Sequence, residues 1–215
     1  MRFDGAMKIA IVLVLLATAL AAPALAEPGD FGVRLSEAAI EQTQRRVVYD
    51  PSYVVIPYPG GDISEDRGVC TDVVIRAYRA LGIDLQSRVH EDMKANFSAY
   101  PALWGLARPD SNIDHRRAPN LETYFTRAGA ALPLGNRPED YRPGDIVAWN
   151  LRGEAGFLAH IGIVTERAGI SGWPLVVHNI GQGPKLDDVL FAWPMTGHYR
   201  YREEAPANSS RSFMR

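Results

Sequence analysis

Apolar and polar positions follow two different periods along this chain. In the first half the spacing is helical. Ser36 is placed to cap a helix over 36–45, with Ala38, Ala39 and Ile40 on its apolar side. Residues 47–49 and 53–56 read as extended, separated by an Asp50-Pro51 turn. Pro59-Gly60-Gly61 opens a polar loop that runs to Gly68. Val73, Val74, Ala77, Tyr78 and Leu81 then recur at helical spacing until Gly82 stops them. Two further helices are predicted, over 91–100 and from Asn120 to just before Gly129. Past Pro143-Gly144 the pattern becomes short apolar strands, clearest at 146–149, 161–165, 175–180 and 198–201, with glycine, proline and aspartate between them. Helices first and strands afterwards predict an α+β fold with segregated elements.

The N-terminus departs from both periods. Lys8 precedes an apolar run over 9–22, and Pro23-Ala24-Leu25-Ala26 supplies small residues at the −1 and −3 positions of a cut after Ala26. That is the pattern of a secretory signal peptide over residues 1–26, and the run is short for a membrane-spanning helix. The expectation is an exported, periplasmic protein with no membrane attachment after cleavage. One domain is expected over 27–202, and a polar, frayed tail over 203–215.

Composition narrows the function. The chain has 215 residues, 47% hydrophobic and 22% charged, with a net charge of −2. It is globular in composition and carries no basic excess of the kind that nucleic-acid binding requires. A single cysteine rules out a disulfide within the chain and cysteine-rich metal sites. In an exported protein an odd cysteine is buried and inert, pairs between molecules, or is a reactive thiol.

Cys70 falls where the polar loop ends and the amphipathic helix begins. Unpaired N–H groups and the positive end of the helix dipole favour a thiolate there and can later hold an oxyanion. Asp72, one turn in, suits the dipole but opposes ionisation of a neighbouring thiol. A cysteine nucleophile needs a base and a group to orient it. Among the five histidines, His160 begins the strand Ile161-Gly162-Ile163-Val164, and His178 ends Leu175-Val176-Val177 with Asn179 next. His90 and His198 read as surface or satisfied core residues.

These residues carry a resemblance. Tyr58-Pro59-Gly60-Gly61, Gly68-Val69-Cys70-Thr71-Asp72-Val73-Val74, Pro143-Gly144-Asp145-Ile146-Val147, Ala159-His160-Ile161-Gly162-Ile163-Val164 and Val177-His178 resemble the catalytic segments of NlpC-type, papain-like bacterial cell-wall cysteine peptidases. From Tyr58 to Tyr201 the chain is more similar still to an exported bacterial family known only as domain of unknown function 1287. The resemblance implies a papain-like fold in which the cysteine-bearing helix packs on an antiparallel sheet. It implies Cys70 as nucleophile, His160 as base, His178 (or Asn179) as third member, and Tyr58 as a residue polarising the scissile carbonyl. It also implies peptide or amide hydrolysis without a cofactor, with peptidoglycan stem peptides as the substrate class. Thr71-Asp72 stands where those enzymes have Ser-Gly. The interval from Cys70 to His160 is longer than theirs, so residues 83–140 are expected to be a helical insertion.

Inside that segment Asp114-His115-Arg116-Arg117 is a dense polar cluster. Arginine forks bind carboxylates bidentately, so His115, Arg116 and Arg117, with Asp72, are the substrate-binding candidates. No histidine pair has helical metal-ligand spacing, so no metal is expected. A monomer is expected. Two rival readings remain open: a non-catalytic cell-wall binding module on the same fold, and a metal-dependent amidase using His90, Glu91, Asp92, Asp114 and His115.

Overall fold

A computed structural model describes residues 31–203. The leader and most of the tail lie outside these residues. Helix α1 (Phe31–Gln42) leads to a two-residue strand, β1 (Val48–Tyr49), which pairs in parallel with β2 (Arg67–Gly68). Helix α2 (Cys70–Ala80) follows directly, then α3 (Leu85–Asn96) and α4 (Ala118–Arg127). The second half is a five-stranded antiparallel sheet of β3 (Ile146–Asn150), β4 (Ala159–Ala168), β5 (Pro174–His178), β6 (Lys185–Asp187) and β7 (Met195–Tyr199). Their order is β6-β5-β4-β3-β7. The α+β expectation is met, with helices and sheet segregated. Among the described residues no helix is long and apolar enough to cross a membrane.

Alternation along the strands divides the interior in two. Ile146, Ala148, Ile161, Ile163 and Val177 face the helices and share a core with Val74, Tyr78, Leu121 and Phe125. Val147, Trp149, Val164 and Val176 face the other way and pack with Leu190 under Trp173 and Trp193. Leu85, Val89, Met93 and Tyr100 of the 83–140 segment belong to the first core. That segment is therefore built into the domain rather than appended to it.

Several elements differ from the sequence expectation. Ser36 is not a cap: it is fully buried in the middle of α1, where its hydroxyl donates to Glu166 on β4. Residues 53–56 form no strand. Tyr53, Val54 and Val55 are exposed, and the segment is held by side chains, with Asn112 accepting from the Ile56 N–H. Helix α3 starts at Leu85, not residue 91, because Asp84 caps it by accepting from the Gln86 and Ser87 N–H groups.

Glu122 of α4 is a carboxyl at the helix–sheet interface, accepting from Thr196 Oγ1 at 3.0 Å. Burial pushes it from 4.5 up to about 7. A raised carboxyl favours the fold while it is protonated in both states, below about pH 4.5, and that contribution is lost as pH rises through 7. Glu122→Gln keeps the uncharged shape. It is expected to raise Tm near pH 8 by a few degrees, about 1–3 kcal/mol, and to leave Tm unchanged near pH 4. Thermal melts of the two proteins at both pH values check this, and equal gains at both would contradict a buried titrating carboxyl.

Candidate active site

Cys70 is the first residue of α2 and is 6% exposed. The turn before it is tied down from three sides. The Val69 N–H donates to Asp72 Oδ2 at 2.6 Å, so the helix caps itself. The Gly68 carbonyl accepts from Asn179 Nδ2 at 3.1 Å. Arg116 forks onto Asp72, Nε to Oδ1 at 2.9 Å and Nη2 to Oδ2 at 3.0 Å, with both side chains buried. The rest of the guanidinium donates to the Ser52 and Asp50 carbonyls, and Thr71 Oγ1 donates to the Arg116 carbonyl. A buried pair with its hydrogen bonds filled is a rigid brace, and removing one member strands the other charge at a cost of about 3–5 kcal/mol.

This arrangement corrects the substrate-binding assignment for three residues. Asp72 and Arg116 are spent on each other and on backbone. His115 is buried, and burial together with the Arg116 charge holds it down at about 4, hence neutral. Only Arg117 keeps access to a surface. It pairs with Asp114 at 3.2 Å, and its guanidinium lies 4.1 Å from the Trp104 ring centre.

The backbone groups that act on the thiol are those of Ile161, Thr71 and Cys70 itself, and no hydrogen bond joins it to the His160 ring. These groups favour the thiolate, but burial outweighs them and pushes the thiol up to about 12. Tyr49 on β1 is 39% exposed; burial raises its hydroxyl, and the charges of Cys70 and Asp72 add to that. Tyr58 does not reach the thiol. It is 41% exposed, its hydroxyl donates to Glu91 at 2.6 Å, and its ring packs edge-on against His90. The tyrosine whose strand lies against the turn before Cys70 is Tyr49, while the Tyr58 hydroxyl is engaged by Glu91. The parallel β1–β2 pair sets Tyr49 opposite Gly68, two residues before the cysteine.

His160 and His178 lie on the far face of the sheet from the helices, beside Trp149. The His160 ring stacks on Trp149 (centroids 5.7 Å apart, 25° between planes), and Trp193 closes on both histidines edge-on. Between His160 and Val164 that face carries Gly162. A Cβ there would come within 2.8 Å of Val176 Cγ1 and 3.1 Å of His178 Cβ, so glycine is what lets His178 cross to His160. His160 Nε2 and His178 Nδ1 are 2.7 Å apart, and His178 Nε2 is 3.2 Å from Asp187 Oδ2 on β6.

The tautomers follow from the acceptor at the end of this chain. An ionised carboxylate only accepts, so His178 donates from Nε2 and accepts at Nδ1. His160 then donates from Nε2 and keeps a lone pair on Nδ1, the nitrogen a base needs. Burial, with the His178 charge adding to it, holds His160 down at about 3. Burial also lowers His178, against the pull of Asp187. Asn179 points to the opposite face, onto Gly68, as alternation requires. β4–β5 pairing is registered no closer to this end than Ile163↔Val177. In that gap the Ile161 backbone, one residue from His160, acts on the thiol from the helix side.

Asp187 was missed by the sequence reading. Its strand, Lys185-Leu186-Asp187, is three residues long and follows a Gly-Gln-Gly-Pro turn, too short for any period to show. Among the described residues no three histidine, cysteine or acidic side chains form a group able to hold a metal ion. A cleft of about 360 Å³ opens at Val69, walled by Tyr53, Trp104, Ile113, Arg116 and Arg117.

A buried thiol at a helix start and a buried histidine pair hydrogen-bonded across two neighbouring strands of the sheet mark the candidate site of this α+β domain. By sequence the chain belongs to the family described as "Domain of unknown function (DUF1287)", whose pattern spans residues 36–201. It is 48% identical over 205 residues to "Uncharacterized protein YijF" of Escherichia coli (strain K12), covering 91% of this chain and 98% of that protein. Among solved structures it resembles NlpC1 from Trichomonas vaginalis, with TM-score 0.43 and 17% identity over 79% of this chain. It also resembles NlpC2 from the same organism, with TM-score 0.46 and 15% identity over 83% of this chain. The chain spans 44% and 49% of those two proteins.

Proposed function

We propose that this protein is an exported, periplasmic cysteine hydrolase of peptide or amide bonds, acting as a monomer on peptidoglycan stem peptides. The observation that carries the chemistry is the chain Asp187–His178–His160, which leaves the Nδ1 lone pair of His160 without a hydrogen-bond partner and able to act as a base. The leader pattern supports export, and the resemblance to cell-wall peptidases supports the substrate class.

At rest the thiol and both histidines are neutral. Substrate entering the cleft at Val69 places its carbonyl against the start of α2. Sγ bonds to the carbonyl carbon as its proton passes to His160 Nδ1, and the carbonyl electrons move onto oxygen. The N–H groups at the helix start and the Tyr49 hydroxyl are the donors for that oxyanion. The C–N bond then breaks, and the amine leaves with the proton from His160. Water attacks the thioester, giving its proton to His160; the C–S bond breaks and Cys70 recovers its hydrogen. No hydrogen bond joins Cys70 to His160 at rest, so this proton transfer requires the thiol and the His160 ring to be brought together in the substrate complex.

The burial of Cys70 favours a second reading, a wall-binding module with an inert thiol. Incubating purified peptidoglycan with the protein and with Cys70→Ala, then analysing the soluble fragments by mass spectrometry, separates the two. New amine and carboxyl termini with the parent protein alone support the hydrolase. Co-sedimentation of both proteins with the wall and no fragments supports the binding module.

A further inference from the structure

Next to the cleft at Val69 lies a second cavity of about 130 Å³, lined by the segment between α3 and the Asp114–Arg116 turn. Met93, Phe97, Tyr100 and Leu106 give it apolar walls. Trp104 and Arg117 line both this cavity and the cleft at Val69, so their stack is the partition between the two. At the base is Asn120, which is 1% exposed. Its Nδ2 donates to the Asp114 carbonyl at 3.0 Å, which fixes the orientation of the amide. Its Oδ1 then accepts from nothing.

A buried acceptor without a donor is costly, and it is rare in folded proteins unless a ligand or water completes it. Of the other polar groups in the lining, Ser98 is exposed and the two charged side chains engage each other. Asp114 accepts from the Asp110 N–H and pairs with Arg117, so the two charges offset each other. What stands open is one buried acceptor, Asn120 Oδ1, in a cavity with largely apolar walls. We propose that it is a side-chain subsite of the adjoining cleft, taking a flexible aliphatic side chain whose tip carries an N–H or O–H donor to Asn120 Oδ1. A carboxylate tip is refused, because it would set an acceptor against Asn120 Oδ1 and Asp114. The assignment of this subsite to a substrate rests on reading the cleft as the hydrolase site, but the cavity's selectivity does not.

The test is ligand binding to the whole protein carrying Cys70→Ala, followed by NMR at the Trp104 indole and the Asn120 amide. The probes are n-butyramide, n-butylamine and butyrate, which share a stem and differ at the tip. The two donor-tipped probes are expected to shift both signals saturably, and butyrate to bind about tenfold more weakly or not at all. A stronger amine than amide would mark a charged tip, and the reverse a neutral one; either fits the proposal. Asn120→Leu is expected to erase the preference for donors. Since Asn120 also ties down Asp114, a second variant guards against misfolding: Leu106→Trp, at the 38% exposed rim, is expected to block all three probes. Equal binding of butyrate, shifts insensitive to Leu106→Trp, or no saturable shift would overturn the subsite. Donor-selective binding in a protein that releases no wall fragments would instead uphold the subsite and remove the hydrolase reading.

Discussion

Cys70→Ser is expected to fold like the parent protein and to lose turnover by about 10³-fold or more, with His160→Ala doing the same. Serine nearly matches cysteine in size, so the packing under Val69 is kept. Its hydroxyl is much the weaker nucleophile where the base is a neutral imidazole. The structure also changes what the free thiol should do. A Cys–His site suggests a thiolate–imidazolium pair at rest, with a thiol reactive at neutral pH. Here burial dominates both groups, placing Cys70 at about 12 and His160 at about 3. The neutral pair is therefore the resting state, and the proton moves only when substrate brings the groups together. The rate of alkylation by iodoacetamide is expected to be slow near pH 7 and to climb through pH 10 without a neutral plateau. His160→Ala is expected to leave that profile unchanged. A plateau between pH 5 and 8 that vanishes in His160→Ala would show a resting ion pair and refute the neutral one.

The parts of this site that were legible in the sequence are those fixed by local chemistry. A polar, glycine-bearing loop running into an amphipathic helix located Cys70 at a helix start. A histidine at the head of an apolar strand located His160, and alternation along a strand puts the neighbours His178 and Asn179 on opposite faces. What was not legible depends on distant pairings. Tyr58 is the closer tyrosine along the chain, yet Tyr49 is the one brought to the turn before Cys70, because β1 runs parallel to β2 and pairs it with Gly68. Arg116 looked like a solvated or substrate-seeking charge, since nothing near it in sequence demands burial; its partner Asp72 is 44 residues away. Ser36 has the composition of a cap and the position of a core residue, because Glu166 of β4 lies against it. Asp187 sits in a strand held only by its pairing with β5.

That last pairing sets up the sharpest comparison among variants. His178→Ala, Asn179→Ala and Asp187→Ala each remove one polar partner near the site, but they should fail differently. His178 holds the His160 ring and its tautomer, so His178→Ala is expected to lower kcat by about 10²–10³-fold with little change in KM. Asp187 acts one residue further out and is 39% exposed at its side chain, so Asp187→Ala is expected to cost about tenfold. Its signature is spectroscopic. In the parent protein, ring ¹⁵N shifts should show His160 protonated on Nε2 alone. Without the acceptor-only carboxylate, His178 is free to donate from Nδ1 instead, and a mixture of the two His160 tautomers should appear. Asn179 touches neither histidine and holds the Gly68 carbonyl, so Asn179→Ala is expected to lower Tm and to leave the tautomer intact. A His160 ring protonated on Nδ1 in the parent protein would reverse the direction of the whole chain. A kcat loss in Asn179→Ala larger than in His178→Ala, with both folded, would move the orienting role to the asparagine.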